Sequence, residues 1–338
     1  MADFRSDTVT KPTKEMLDFM IHAKVGDDVF GDDPTVTELE KFGAALFGHE
    51  AGLYCSSGTM TNQIAIAVHT QPGDEVICHE EAHIYRYEGG GIARNSGASV
   101  RLLRGNNGRI NPLEIEDNIN PDDQHYPVTR MVSIEDTSNR GGGVVYDFED
   151  IKKISSICKK RNLKFHLDGA RVFNALEITK IDTKTYGNQF DTISICLSKS
   201  LGAPVGSLLL GSKEFIQKAR RVRKVFGGGM RQAGIIAAGG LYALQNNLVR
   251  LADDHKRAKE VEKILAKMPW IKNVIPVETN IVVGILNDGL NEYEVVEKIK
   301  KAGILCVTFG KGRIRFVTHL DITDREIELL RTNLPVAI

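Results

Sequence analysis

The 338-residue sequence predicts an α/β fold, with a large domain built on a mainly parallel sheet between helices and a small α+β domain after it. Two observations carry the prediction. Short β-branched or apolar runs ending at Cys55, His79, Glu135, Asp168 and Leu197 each give way to small or polar residues, and helical periods lie between them. This strand, helix, strand recurrence is the βαβ rhythm of a parallel sheet. Thirty-two glycines supply the tight turns that such alternation needs.

The length suits a large domain over residues 1–245, with an amino-terminal arm at 1–14, and a small domain over 246–338. With 44 basic and 44 acidic residues the formal net charge is zero, which gives no electrostatic case for nucleic acid or an anionic membrane. Five scattered cysteines without a C-x-x-C pair read as small buried hydrophobes in a reducing compartment. The start Met-Ala-Asp-Phe-Arg-Ser-Asp has no apolar targeting core, and no run approaches the ~20 apolar residues of a membrane span. A cytoplasmic location is expected.

In chain order, residues 1–11 are polar and predict an extended arm, and Pro34–Phe47 predicts a helix with Leu39, Phe42, Leu46 and Phe47 on one face. Ala51–His69 reads as a strand, a small-residue turn and an apolar helix. In the Ser57-Gly58-Thr59 turn, a cofactor-binding candidate as a whole, the backbone N–H groups of Gly58 and Thr59, the Thr59 hydroxyl and the helix dipole make an anion cradle suited to a phosphate monoester. A lone Ser-Gly-Thr is weak evidence. His79-Glu-Glu-Ala-His83 matches the H-E-x-x-H zinc signature, but that chemistry needs both histidines on one long helix, and His79 ends a strand. No metal is expected.

Val128–Gly143 is a strand ending in a polar cluster, and Asp147–Arg161 follows as a helix. The next strand delivers Asp168 to its carboxyl end, with Arg171 projecting into the same crevice if Gly169 and Ala170 form the turn. Thr192–Leu197 then delivers Lys199, an amine placed to attack a carbonyl and form a Schiff base. Each residue has a plainer alternative: Lys199 also fits a lysine snorkelling from a strand end, and Asp168 a helix N-cap. Together they supply the three handles of pyridoxal 5'-phosphate: an amine for its aldehyde, a carboxylate for its ring nitrogen and a cradle for its phosphate. Lys213–Val225 is a basic helix that reads as solvated or subunit-facing. A helix over Leu248–Met268 leads into the small domain, with strands near Asn280–Ile285, Ile304–Thr308 and Arg313–Val317.

Arg5–Pro12, Val25–Thr35, Ser57-Gly58-Thr59, His166–Arg171, Leu197–Lys199 and Gly227–Gly234 together resemble the threonine aldolases, a family of fold-type I pyridoxal enzymes, from about Asp3 to the closing helix. The resemblance implies a seven-stranded sheet in the large domain. It also implies cleavage of L-threonine or L-allo-threonine to glycine and acetaldehyde, and a homo-oligomer that is a dimer of dimers. It further implies that Ser6 and Arg313 meet the substrate carboxylate and that His83 stacks on the cofactor ring. His125 would reach across a subunit boundary as a second candidate for proton transfer, and Arg231 would lie near the partner's cofactor phosphate. Phe30 stands where many relatives show tyrosine at the site entrance, and Asp136 and Ser138 where they often show Asn and His. Another β-eliminating lyase or an aminotransferase on the same scaffold is the alternative.

Overall fold

In the computed structural model, which describes residues 1–338 apart from the Val336 side chain, seven strands form the central sheet. They are β1 (Ala51–Cys55), β2 (Glu75–His79), β3 (Ser99–Leu103), β4 (Thr129–Glu135), β5 (Lys164–Gly169), β6 (Thr192–Cys196) and β7 (Ser207–Gly211). Their spatial order is β1-β7-β6-β5-β4-β2-β3. Only β7 runs antiparallel, pairing with β6 on one side and β1 on the other. The remaining neighbours are parallel, with Glu135 opposite Asp168 and Asp168 opposite Ser194. One edge of the sheet therefore collects the carboxyl ends of β1, β2, β4, β5 and β6, the usual ligand edge of such sheets.

Local chemistry explains why the predicted helices form. Asp33 caps the Pro34–Phe47 helix by accepting from the Thr35 and Val36 N–H groups, Pro34 fits the first turn, and Gly48 ends it at φ 73°. The predicted helix at Asp147–Arg161 is observed as Phe148–Lys160, with Asp147 as its cap. Strands β5 and β6 are buried on both faces, and Ile193, Ile195, Phe165 and Leu167 join one core with Leu39, Phe47 and Leu241. Each such side chain contributes roughly 1.5–3 kcal/mol when withdrawn from water. The Gly234–Asn246 helix lies across that core. A Cβ on its Gly240 would stand 2.6 Å from Leu197 Cδ1, so a glycine there lets the helix close beneath the turn that carries Lys199.

The chain passes from the large core to the small one within the Leu251–Leu265 helix, whose Leu251 packs with the first and whose Ala258 and Val261 pack with the second. The small sheet is antiparallel, with Ile281–Leu286 between Ile271–Val274 and Arg313–Val317, and Val307–Thr308 at its far edge. The amino-terminal arm, expected to accompany the large domain, packs instead on the small one. Ala2 and Asp3 pair in parallel with Ile304 and Leu305, and Phe4 lies edge-to-face with Phe316, ring centroids 5.9 Å apart. The polar composition of residues 1–11 concealed this, since Ala2 and Phe4 alone carry the contact. Among the described residues no helix is long and apolar enough to cross a membrane.

Candidate active site

Three parallel strands set the floor of the site. Strand β5 brings Asp168 to the carboxyl edge, 3 % exposed, where Oδ2 accepts from Asn62 Nδ2 at 3.0 Å and Oδ1 from the Ala170 N–H at 3.3 Å. Asp168 is therefore not a helix cap: the following helix starts at Val172 and has no side-chain cap. Asn62 lies one turn into the Gly58–His69 helix, and its other Nδ2 hydrogen goes to Glu88 Oε1 at 2.9 Å. Its Oδ1 accepts from His166 Nε2 at 3.1 Å, and His166 Nδ1 bonds the Thr192 hydroxyl at 2.9 Å. Burial pushes the His166 imidazole down to about 3, so it is a neutral strut. The chain Thr192, His166, Asn62, Asp168 links two strands and a helix and leaves the Asp168 carboxylate no freedom to turn.

His83 closes this floor from above. Its Nδ1 bonds Glu88 Oε1 at 3.0 Å, and its backbone N–H donates to Glu135 Oε2 at 3.0 Å. Glu88, whose side chain has no exposure, is itself held by Gln63 Nε2 at 2.6 Å. Burial works against a charge on His83, but the Glu88 bond, with Asp168 and Glu135 nearby, outweighs it and raises the imidazole above its ordinary value. Burial, and then the charge on Asp168, push the Glu135 carboxyl up. His83 opens a short helix whereas His79 ends β2 with its Nδ1 accepting the Glu81 N–H, so the zinc-like motif never forms one helical face.

At the cradle, Ser57 caps the Gly58–His69 helix by accepting the Met60 N–H at 3.2 Å. Among the described residues the N–H groups of Gly58 and Thr59 carry no partner. A Cβ on Gly58 would lie 3.8 Å from Cys196 Sγ and 3.6 Å from Ser207 Oγ, so the cradle abuts the carboxyl end of β6. Lys199 follows β6 in a turn closed by the Gly202 N–H on its carbonyl at 2.8 Å, and its Nζ meets no hydrogen-bond acceptor among the described residues. The amine, the carboxylate and the cradle thus stand on one edge.

Arginines form the wall on the small-domain side. Arg171 grips Asp7 side-on, Nε to Oδ2 and Nη2 to Oδ1, both at 2.7 Å. Ser6, next to Asp7, accepts the Thr8 N–H at 3.2 Å. The strand arginine nearest this pair is Arg315, not the Arg313 that the resemblance selected. Arg315 donates to Asn139 Oδ1 at 2.9 Å and to the Arg5 carbonyl at 3.0 Å, and burial, then the charge of Arg171, push its guanidinium down to about 10. Both guanidinium groups face the Phe309 ring, Arg313 at 5.9 Å and Arg315 at 5.0 Å from its centroid, but it is the Arg315 Nε that is buried. Alternation put both arginines on one face, but only the depth of the groove separates them, and sequence does not show depth.

This buried edge and its wall can hold a carboxylate, an aldehyde and a phosphate at once. The family model described as Beta-eliminating lyase matches residues 3–288. Low-specificity L-threonine aldolase 1 of Arabidopsis thaliana is 40 % identical over 96 % of this chain and 93 % of its own length. The chain belongs to the threonine aldolase family. The low specificity L-threonine aldolase of Escherichia coli K12 is 39 % identical, covering 97 % of this chain and 96 % of that one. The threonine aldolase structure from Leishmania major superposes with a TM-score of 0.85 at 20 % identity, covering all of both chains, which bears on the fold.

Three residues that the threonine aldolase resemblance assigned to the site lie outside it in a single chain. Phe30 is 77 % exposed, on a groove lined by Glu40 and Arg220. Arg231 pairs with Asp27 at 2.9 Å. His125 is exposed and bonds Asp123 at 2.7 Å. It precedes the amino end of β4, and seven residues of strand put it roughly 23 Å from the carboxyl edge. Sequence reasoning missed Asp7, Asn62, Glu88 and Arg315. None of the four carried a usable signal, since what sets Asp7 and Glu88 apart from surface acids is their burial, and only packing shows that.

Proposed function

We propose that this chain is a pyridoxal 5'-phosphate-dependent aldolase that cleaves L-threonine, L-allo-threonine and related β-hydroxy-α-amino acids to glycine and an aldehyde. The observation that carries the reading is the Asp168 carboxylate, clamped by Asn62 on the same edge as a lysine and two helix-terminal N–H groups that have no partner among the described residues. Those residues fit the cofactor. Lys199 would hold its aldehyde carbon, Asp168 its ring nitrogen, and Ser57, Gly58 and Thr59 its phosphate. When bound, the cofactor supplies an electron sink for the carbanion left at Cα.

The protein's own groups do the rest. Arg171 and Arg315, with Ser6 beside them, receive the substrate carboxylate, a role that moves from Arg313 to Arg315 on grounds of depth. The Asp168 carboxylate would hold a proton on the cofactor's ring nitrogen. His83, bonded through Nδ1 to Glu88, keeps Nε2 to accept the β-hydroxyl proton as the Cα–Cβ bond breaks, and a proton returned to Cα completes glycine. The raised imidazole fixes the acid side of the pH profile, because only neutral His83 can accept.

The oligomer is part of the same proposal. Phe30, His125 and Arg231 are all exposed on one chain, and a dimer, or a dimer of dimers, gives each of them a neighbouring site to complete. The five buried, unpaired cysteines fit a reducing cytoplasm.

The test is incubation of the purified protein with the L and D isomers of threonine and allo-threonine, with aldehyde and glycine measured together. Equal amounts of both products from an L isomer, lost in Lys199→Ala, are expected. Pyruvate and ammonia from L-serine without aldehyde from threonine would instead make the protein a β-eliminating lyase.

A further inference from the structure

Asp7 stands where three parts of the chain meet and has no exposure. It belongs to the arm, whose Phe4 is set in the small-domain core. Its Oδ2 accepts from Arg171 Nε at 2.7 Å and from the Ser200 hydroxyl at 2.9 Å, and Oδ1 accepts from Arg171 Nη2 at 2.7 Å. The amide of Asn280 in the small domain adds a longer bond of 3.4 Å and also reaches the Ser200 hydroxyl at 3.2 Å. Burial alone would push the Asp7 carboxyl up. The Arg171 guanidinium, with Lys199 and Ser200, holds it well below the usual carboxylate range.

The shape of a guanidinium explains why a substrate-binding arginine is already bound to an internal acid. Its five N–H groups point along distinct edges, and a side-on pair takes Nε–H and one Nη2–H. The end edge, with one hydrogen from each Nη, stays free and matches a second carboxylate bidentately. Arg171 shows the side-on arrangement, and its neighbour Arg315 meets only neutral oxygens, from Asn139 and Arg5.

We propose that Asp7 is the positioning residue of the α-carboxylate subsite: gripping Arg171 side-on, it turns the free end edge toward the substrate and, through Ser200, ties that edge to the Lys199 turn. The proposal rests on the reading that the substrate is an α-amino acid. Asp7 touches no reacting atom; it acts through Arg171. If Asp7 merely fastened the arm, its loss would weaken the protein toward every ligand alike. A positioning role affects only ligands that carry the carboxylate.

The test compares wild-type holoenzyme with Asp7→Asn and Asp7→Glu, using L-threonine against neutral L-threoninamide in kinetics, and glycine against glycinamide in thermal shift. Asp7→Asn should raise KM for L-threonine about tenfold or more, change kcat less than about threefold and leave KM for the amide alone. It should also abolish the glycine-induced rise in Tm while sparing that of glycinamide. Asp7→Glu, which keeps the charge, should recover part of both. Equal losses for acid and amide, or an unchanged KM for L-threonine, would overturn the proposal. If the wild type shows a carboxylate-dependent shift with glycine yet releases no aldehyde, the aldolase reading fails and the thermal shifts alone decide the role of Asp7. Should Asp7→Asn not fold, Ser200→Ala takes its place: about a threefold rise in KM for the acid with none for the amide supports positioning, and equal changes refute it.

Discussion

Asp136→Asn should stabilise the protein, and more so as pH rises. Asp136 follows Glu135 at the end of β4, fully buried, with the Tyr186 hydroxyl on Oδ2 at 2.5 Å and the Tyr146 N–H on Oδ1 at 3.3 Å. Burial pushes its carboxyl up from 3.8 to about 7 although both bonds favour the ionised form. In the unfolded chain the group titrates near its ordinary value. Between the two values the native state holds a proton that the unfolded state has released, so stability falls as pH rises through that window and levels off above it. From pH 5 to the folded value of about 7 the loss is 1.36 kcal/mol per unit, about 3 kcal/mol in all. Asparagine at this position has no such loss, and its amide can still meet the Tyr186 oxygen. Asp254, also pushed up to about 7 by burial, is present in both proteins and cancels. Thermal unfolding followed by circular dichroism at pH 5 and pH 8 reads the difference. At roughly 1.4 °C per kcal/mol for a chain of 338 residues, the gap between variant and wild type should widen by about 4 °C at the higher pH. A gap of the same width at both would refute the argument.

Asp168→Asn keeps the shape and removes the charge that the Asn62 clamp orients, so turnover should fall by orders of magnitude while the protein still absorbs in the visible with added cofactor. A loss within about threefold, under 1 kcal/mol of barrier, would mean that the carboxylate is not the proton holder. Glu88→Gln should lower the His83 imidazole, moving the acid limb of the kcat/KM profile to lower pH; an unmoved limb would separate His83 from the proton transfer. Mixing inactive Lys199→Ala and His125→Ala chains should restore part of the activity, because some hybrid sites receive both native residues. No recovery where chains demonstrably exchange would exclude a trans role for His125.

The alternation of buried strands with amphipathic helices was legible because each strand end is marked by a change of chemistry, as at Asp168 and Lys199. Those positions were readable as a site because backbone direction alone brings the carboxyl ends of parallel strands together. Asn62 was not readable. It sits in an apolar helix as one polar residue among several, and only the packing of that helix against β5 points its amide at Asp168. Arg313 and Arg315 share a face and a charge, so their order of depth emerged only from the small-domain sheet. The arm failed for a third reason. Its two buried residues find partners near the other end of the chain, beyond the reach of any local pattern.

Ala2 and Asp3 leave the ribosome about 300 residues ahead of Ile304 and Leu305, the strand they join. At roughly 5–20 residues per second, the arm waits about 15–60 seconds for its place to exist. During that interval Phe4 has no core to enter, and Asp7 is held in the cleft only by what the large domain offers. A chain released early, short of residue 304, would present Phe4 to solvent and to quality control. The Asp7–Arg171 pair needs nothing beyond Ser200, so the two ends of the arm settle at different times: Asp7 can be gripped early, whereas Ala2 and Phe4 wait for the strand at Ile304 and Leu305.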